Sequence, residues 1–245
     1  MPSLRSLVIA GVAALVAGLV IAFPARIAWQ WLAPADVALQ GISGSIWNGR
    51  AREAGAGGLY LTDVRWRFRP LAVFAGRIEY AVSAAPVAGF VEADLSLRAG
   101  GTTGLENVTA SLPIAALGPF IEVAGLDGKI DLEIARLLIR DGLPVDAEGT
   151  VTLSGLVIRP LAPSVLGDYR ATVETVEGVI RGDVEDFSGV LDVAGRIELL
   201  ADRSWFFSGL IGTRPGAPQE VERQLQYMGP ADAEGRHSFR FEGRL

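Results

Sequence analysis

The residues of this chain that could do chemistry are few, and their spacing decides what they could do. Asp183, Glu185 and Asp186 stand together in RGDVEDFSG. Clustered carboxylates can hold calcium or divide acid and base roles, but no EF-hand spacing with its terminal glutamate follows them. Asp183 and Glu185 also share one side of an alternating segment, which is the pattern of a solvated strand edge. Arg181, Gly182 and Asp183 spell an adhesion-like tripeptide, a match short enough to arise by chance. The single histidine, His237, lies near Asp232 and Glu234, yet no G-x-S-x-G elbow offers a nucleophile to complete a triad. The glycine-rich AGAGG at 54–58 lacks the Gly-Lys-Ser/Thr and the helix of a phosphate loop, and reads as a flexible hairpin loop. Asn107 opens the sequon NVT, which has meaning only on a eukaryotic secretory route. The absence of cysteine removes disulfides, thiolate nucleophiles and cysteine zinc sites together. The chain is therefore expected not to be an enzyme, and no cofactor or metal is assigned to it.

Composition sets the frame for these groups. Half of the 245 residues are hydrophobic and the net charge is −6. The acidic balance leaves no basic face in bulk for phosphate, so no nucleic-acid partner is expected. The apolar fraction points to a membrane segment, extensive apolar surface, or both.

The segment LVIAGVAALVAGLVIAF, Leu7 to Phe23, carries no charged or strongly polar residue. At ~1.5 Å per helical residue it covers most of a ~30 Å hydrocarbon core. Arg5 precedes it, while Trp29 and Trp31 follow at the depth of an aromatic belt, with Arg26 able to snorkel. The run exceeds the usual apolar core of a cleavable signal, and AFPARIA offers no small-x-small cleavage site. The expectation is an uncleaved anchor marked by Leu7, Phe23, Trp29 and Trp31. Residues 1–6 then form a short cytoplasmic tail, 7–32 a transmembrane helix with its interfacial segment, and 33–245 one β domain outside.

Beyond the anchor, alternation dominates. VRWRFR places Val64, Trp66 and Phe68 on one face and Arg65, Arg67 and Arg69 on the other. The same pattern returns in GFVEADLSLRA, GKIDLEIARL, GTVTLSG, YRATVETV, GVIRGDVED, VLDVAGRIELL and HSFRFEGRL, each bounded by turn residues. Helix is scarce: APQEVERQLQYM sets Val221, Leu225 and Met228 on one stripe before Gly229 and Pro230, and LPIAALGPFI offers a shorter one with Leu117 and Phe120 against the sheet. The expected fold is mainly β: an N-terminal transmembrane helix, then one curved, largely antiparallel sheet domain with one or two short helices.

Three segments, GSIWNGRA at 44–51, LTDVRWRFRPLAVFAGRIEYAV at 61–82 and QLQYMGPADAEGRHSFRFEGRL at 224–245, resemble the type II secretion system protein N family in order and spacing. Gly44, Trp47, Gly49, Trp66, Phe68, Gly229, Gly235, Phe239 and Phe241 carry this motif, and the residues between about 100 and 190 show only strand patterning. The resemblance implies a single-pass inner-membrane protein with its bulk in the periplasm, accessory to the export of folded proteins and touching other inner-membrane subunits of that machinery. The family is also similar to AsmA-like envelope proteins, which implies a second possibility, a lipid-binding or lipid-transfer module with phospholipid as partner. On this reading Trp47 is a structural wedge. Glycines at 41, 44 and 49 allow close approach, and the indole packs with Trp66 and Phe68, which together would line an apolar groove. Arg50 and Arg52 read as a solvated strand face that near a bilayer meets anionic headgroups.

Overall fold

The computed structural model describes residues 11, 12, 15, 16, 18–33, 37–56, 59–86, 88–98, 100–118 and 125–244. The expected anchor falls partly outside this set, Leu7 included. Its described residues up to Ile21 are helical, and Leu15, Leu19 and Ile21 are exposed. Among the described residues no helix is long and apolar enough to cross a membrane.

A second short helix, α1 (Ala25–Leu32), follows Pro24. Among the described residues fourteen strands come after it: β1 (Val37–Gln40), β2 (Ser43–Gly44), β3 (Asn48–Ala56), β4 (Leu59–Phe68), β5 (Arg77–Pro86), β6 (Phe90–Arg98), β7 (Thr103–Pro113), β8 (Leu126–Arg140), β9 (Leu143–Ile158), β10 (Gly167–Val176), β11 (Val179–Gly189), β12 (Leu191–Leu199), β13 (Ser204–Thr213) and β14 (His237–Arg244). Helix α2 (Gln219–Gln226) interrupts the series between β13 and β14. From β3 to β14 every strand pairs antiparallel with its sequence neighbour, while β1 and β2 lie in succession along the outer edge of β3. The result is one open 14-stranded meander whose terminal strands are not paired to each other. Short connections and strictly local pairing follow from a chain punctuated by turn residues at nearly every strand end.

Register fixes which side chains share a face, because directly opposed residues of antiparallel strands project to the same side. Pairings Trp66 with Val82, Val82 with Ala93 and Tyr80 with Leu95 define an apolar face. Leu132 with Val151, Val151 with Ala171, Val184 with Gly195, and Phe207 with Phe241 continue it to the far edge. The other face is largely polar, as in Arg65 opposite Ser83, Glu133 opposite Thr150 and Asp183 opposite Arg196, with Phe206 and Leu210 of β13 among its apolar members.

Among the described residues two small cores sit on the apolar face. Ala51, Ala54, Val64 and Ala84 pack at the β3–β5 end, with Leu39, Ile42 and Trp66 against them. Ala162, Leu166 and Leu191 pack at the other end with Val221 of α2. Helix α2 is the expected one, with Val221 and Leu225 buried, but it ends at Gln226, so Met228 lies past its last turn and is exposed. The shorter expected helix is a 3-10 turn, Ile114–Leu117, whose buried residue is Ile114; Phe120 lies outside the described residues.

Candidate functional site

The stretch around Trp47 joins the N-terminal helix to the sheet. Gly44 has φ +89, and a Cβ there would lie 2.5 Å from the Asn48 carbonyl oxygen, so the chain turns tightly where only glycine fits. The turn is held by Ser45 N–H to the Asn48 carbonyl at 2.9 Å and by Asn48 N–H to Ser45 Oγ at 3.2 Å. It carries Trp47 out of the strand, and the indole Nε1–H donates to the Val20 carbonyl at 2.8 Å. The last carbonyls of a helix have no partner within it, and here a tryptophan from the sheet supplies one. Ile46 N–H bonds to the Phe23 carbonyl at 3.1 Å, and Pro24 bridges Ser45. On its other side Trp47 stacks on Phe68 with ring centroids 4.8 Å apart, and Phe68 meets Tyr80 at 5.5 Å. Trp66 serves the same turn from β4: its Nε1–H donates to the Ser45 carbonyl at 3.2 Å. Its ring lies across Gly49, where a Cβ would come within 2.4 Å of Cζ2.

Next to this junction the apolar face forms an open recess of about 320 Å³ lined by Ala28, Trp29, Ile42, Trp66, Tyr80 and Val82, among others. Of the three residues expected to line an apolar groove, Trp66 lies in the recess wall, while Trp47 and Phe68 pack on each other outside its lining and Trp47 clamps the helix end. Further along the same face Ile78, Leu97, Ile197 and Phe241 remain 48%, 44%, 40% and 54% exposed, so among the described residues no second layer covers it there. Phe239 is buried, edge-on to Phe207 at 4.9 Å. Gly229 and Gly235 take positive φ in the turn that leads into β14. Of the other expected anchor residues, Trp31 is 73% exposed and tilts against Phe23 at 6.0 Å.

On the polar face the charges neutralise one another. Glu79 is buried and accepts from Arg69 and Arg77, each at 3.0 Å. Asp94 is buried and accepts from Arg69 at 2.7 Å and from Asn107 at 3.0 Å. The arginine stems cover these carboxylates while their heads stay half in solvent. A broad concavity of about 1010 Å³ lies over this region, with Arg50, Arg65 and Arg67 on one bank and Glu92 and Asp94 on the other. Arg50 bonds Ser43 Oγ at 3.2 Å and Arg65 pairs with Asp63 at 2.7 Å.

The carboxylate cluster of β11 is divided by the sheet. Asp183 lies on the polar face with Arg196 at 2.6 Å. Asp186 is opposite Tyr169 on the apolar face, paired with Arg214 and accepting from Val193 N–H at 2.7 Å. Carboxylates on opposite sides of one sheet cannot share a substrate. Tyr169, which no sequence pattern singled out, has a buried hydroxyl with no hydrogen-bond partner; burial, then Asp186 and Asp168, push its pKa up to about 12. Near the carboxyl end His237 Nδ1 is in hydrogen-bond contact with the Gly229 carbonyl at 2.8 Å. Asp232 instead accepts from the Arg236 and Glu234 backbone N–H groups, which hold its carboxyl below the ordinary range. Among the described residues no group of three or more metal-ligating side chains gathers.

The family model described as "Type II secretion system (T2SS), protein N" matches residues 35–240. A protein of Aeromonas hydrophila named type II secretion system protein N is 23% identical, the alignment covering 87% of each chain. Proteins of the same name from Pectobacterium carotovorum subsp. carotovorum and Vibrio cholerae are 23% and 24% identical, over 99% and 94% of each chain. No solved structure matches the chain.

Proposed function

The chain belongs to the type II secretion system protein N family, and from that premise we propose that it is an accessory component of the secretion machinery, held at the inner membrane, with residues 33–245 as a periplasmic β domain that acts by contact with other membrane subunits. The observation that carries the reading is the junction: Trp47, Ile46 and Ser45 fasten the sheet to the end of an apolar, exposed helix through side-chain and backbone hydrogen bonds. A domain so fastened stays in a thin layer beside the bilayer, which raises its effective concentration toward neighbouring subunits and makes weak contacts productive. Two open sheet edges and a polar face of matched charges suit such contacts better than they suit chemistry. The test is exoprotein activity in medium against periplasm for wild type, gene deletion, full-length rescue and rescue by residues 34–245 without the tether. The expected result is periplasmic accumulation in the deletion and poor rescue by the tetherless domain. Normal secretion in the deletion would refute it.

One observation favours a second reading. The uncovered apolar face and its recess suit acyl chains, as a lipid-binding module requires. Stoichiometric phospholipid on the purified chain, together with normal secretion in the deletion, would put this reading first.

A further inference from the structure

The turn between β4 and β5, Pro70–Ala75, exposes its apolar side chains to a degree that neither core exposes anything: Leu71 is 79%, Val73 54% and Phe74 90% exposed. Isolated surface leucines need no explanation, but three large apolar residues within one six-residue 3-10 turn form a patch that water disfavours. The turn is built to present them. Ala72 is buried beneath it, Arg69 N–H closes the base on the Glu79 carbonyl at 2.8 Å, and Gly76 at φ +70 caps the end with its N–H on Val73 O at 2.9 Å. The side chains therefore point outward from a closed turn.

Its position identifies what covers it. Strand β4 ends at Phe68, which stacks on Trp47, and Trp47 binds the Val20 carbonyl of the N-terminal helix. The turn thus projects from the same end of the sheet that receives the helix, whose Leu19 and Ile21 are 63% and 69% exposed. Trp31, 73% exposed on α1, adds a third apolar element at this end. Arg69 and Arg77 flank the turn, their heads held by Glu79 and Asp94, so the patch itself carries no charge that would keep it out of an apolar layer.

We propose that Leu71, Val73 and Phe74 insert into the interfacial layer of the bilayer, a second membrane contact beside the helix that fixes how the sheet stands on the membrane. The junction fastens the sheet to the helix end, but one helix alone leaves the pair free to rotate about the helix axis and to tilt in the bilayer. A second apolar contact a few strands away removes that freedom and sets which face and edge neighbouring subunits meet. The proposal rests on the membrane-held reading above.

The chain has no cysteine, so a single Phe74→Cys variant of the full-length protein carries one thiol for an environment-sensitive fluorophore. Tyr227→Cys is the control, an equally open aromatic at 86% exposure just past α2, which packs on β13 toward the opposite edge. Each variant is reconstituted into vesicles of phosphatidylethanolamine and phosphatidylglycerol, with flotation to establish membrane association. The expected result is blue-shifted emission at position 74 and quenching by lipids brominated on the acyl chain several-fold stronger than at position 227. Equal, water-like emission at both positions in floating vesicles overturns the proposal while leaving the anchor intact. A chain that fails to float overturns the membrane-held reading and this proposal with it. Emission at 74 that responds to protein density or to added envelope proteins, but not to brominated lipid, assigns the patch to a protein partner and also overturns it.

Discussion

Removing the indole of Trp47 should uncouple the N-terminal helix from the sheet, and two substitutions divide the effect into parts. Trp47→Phe keeps a ring against Phe68 but loses the hydrogen bond to the Val20 carbonyl. That carbonyl ends a helix with an exposed flank, so water can replace the donor, and the loss should be about 1 kcal/mol, within the ~0.5–1.5 kcal/mol of an ordinary net hydrogen bond. Trp47→Ala also loses the stack at 4.8 Å and the partial burial of the ring. A further ~0.5–1.5 kcal/mol for the aromatic pair plus the lost apolar burial brings the total to about 3 kcal/mol, the lower end of large-to-small aromatic truncations. The assay is amide hydrogen exchange on the full chain in detergent, read by mass spectrometry on peptides spanning 41–49, because the Ile46 N–H closes the same junction on the Phe23 carbonyl. With tenfold per ~1.4 kcal/mol, opening at Ile46 should rise about fivefold in Trp47→Phe and about a hundredfold in Trp47→Ala. Peptides of β8 and β9 should keep their wild-type protection. Equal rates in the two variants, or loss spread evenly into β8 and β9, would show that Trp47 is an ordinary core residue and that the junction argument is wrong.

The parity of β4 predicts unequal neighbours: Trp66→Ala should lower stability by ~3–5 kcal/mol, whereas Arg67→Ala, on the polar face, should change it by less than ~0.5 kcal/mol in the same urea melt. Gly49→Ala should be destabilising as well, because its Cβ would meet the Trp66 ring at 2.4 Å and the Ser43 carbonyl oxygen at 2.8 Å, and the latter is backbone that cannot swing aside. Glu79→Ala strips the carboxylate that Arg69 and Arg77 share and should cost about 1–3 kcal/mol; a double-mutant cycle with Arg77→Ala should show less than additive loss. Tyr169→Phe removes a buried hydroxyl without a partner, so stability at pH 8 should be unchanged or higher by up to ~1 kcal/mol. Because the folded-state pKa of Tyr169 is raised from 10.0 to about 12, its contribution is complete below pH 10 and lost as pH rises through 12. Wild type should therefore lose roughly 2–3 kcal/mol more than Tyr169→Phe across that window in pH-dependent urea melts.

Several strands were legible in the sequence because burial acts on one face at a time. In VRWRFR the apolar and cationic residues alternate without interruption, and the observed register places Val64, Trp66 and Phe68 on the apolar side accordingly. Strand β7 escaped that reading because Asn107, at φ 52, sits at a bulge that shifts the register against β6 and breaks the alternation of TGLENVTASLP. Strand β13 escaped because Trp205, Phe206 and Phe207 are consecutive, so no period of two appears. Only the partner strand shows how this is accommodated, since Arg240 of β14 lies over the Phe206 ring at 5.0 Å on the polar face.

The candidate site divides along the same line. Sequence alone determined the glycine-flanked Trp47 and the alternation that makes a one-faced sheet, because each is local in the chain. It held no signal that Trp47 would reach Val20 across 27 residues, that Tyr80 would complete an aromatic stack with Phe68, or that Asp183 and Asp186 would be parted by the sheet. It also gave the β4–β5 turn no special weight, since PLAVFA reads in sequence like any buried apolar segment. Exposure is a property of what else occupies the surrounding space, and pairing across strands is set by register. Both are decided only when distant segments meet, so tertiary structure had to place the clamp, the recess and the exposed turn at one end of the sheet.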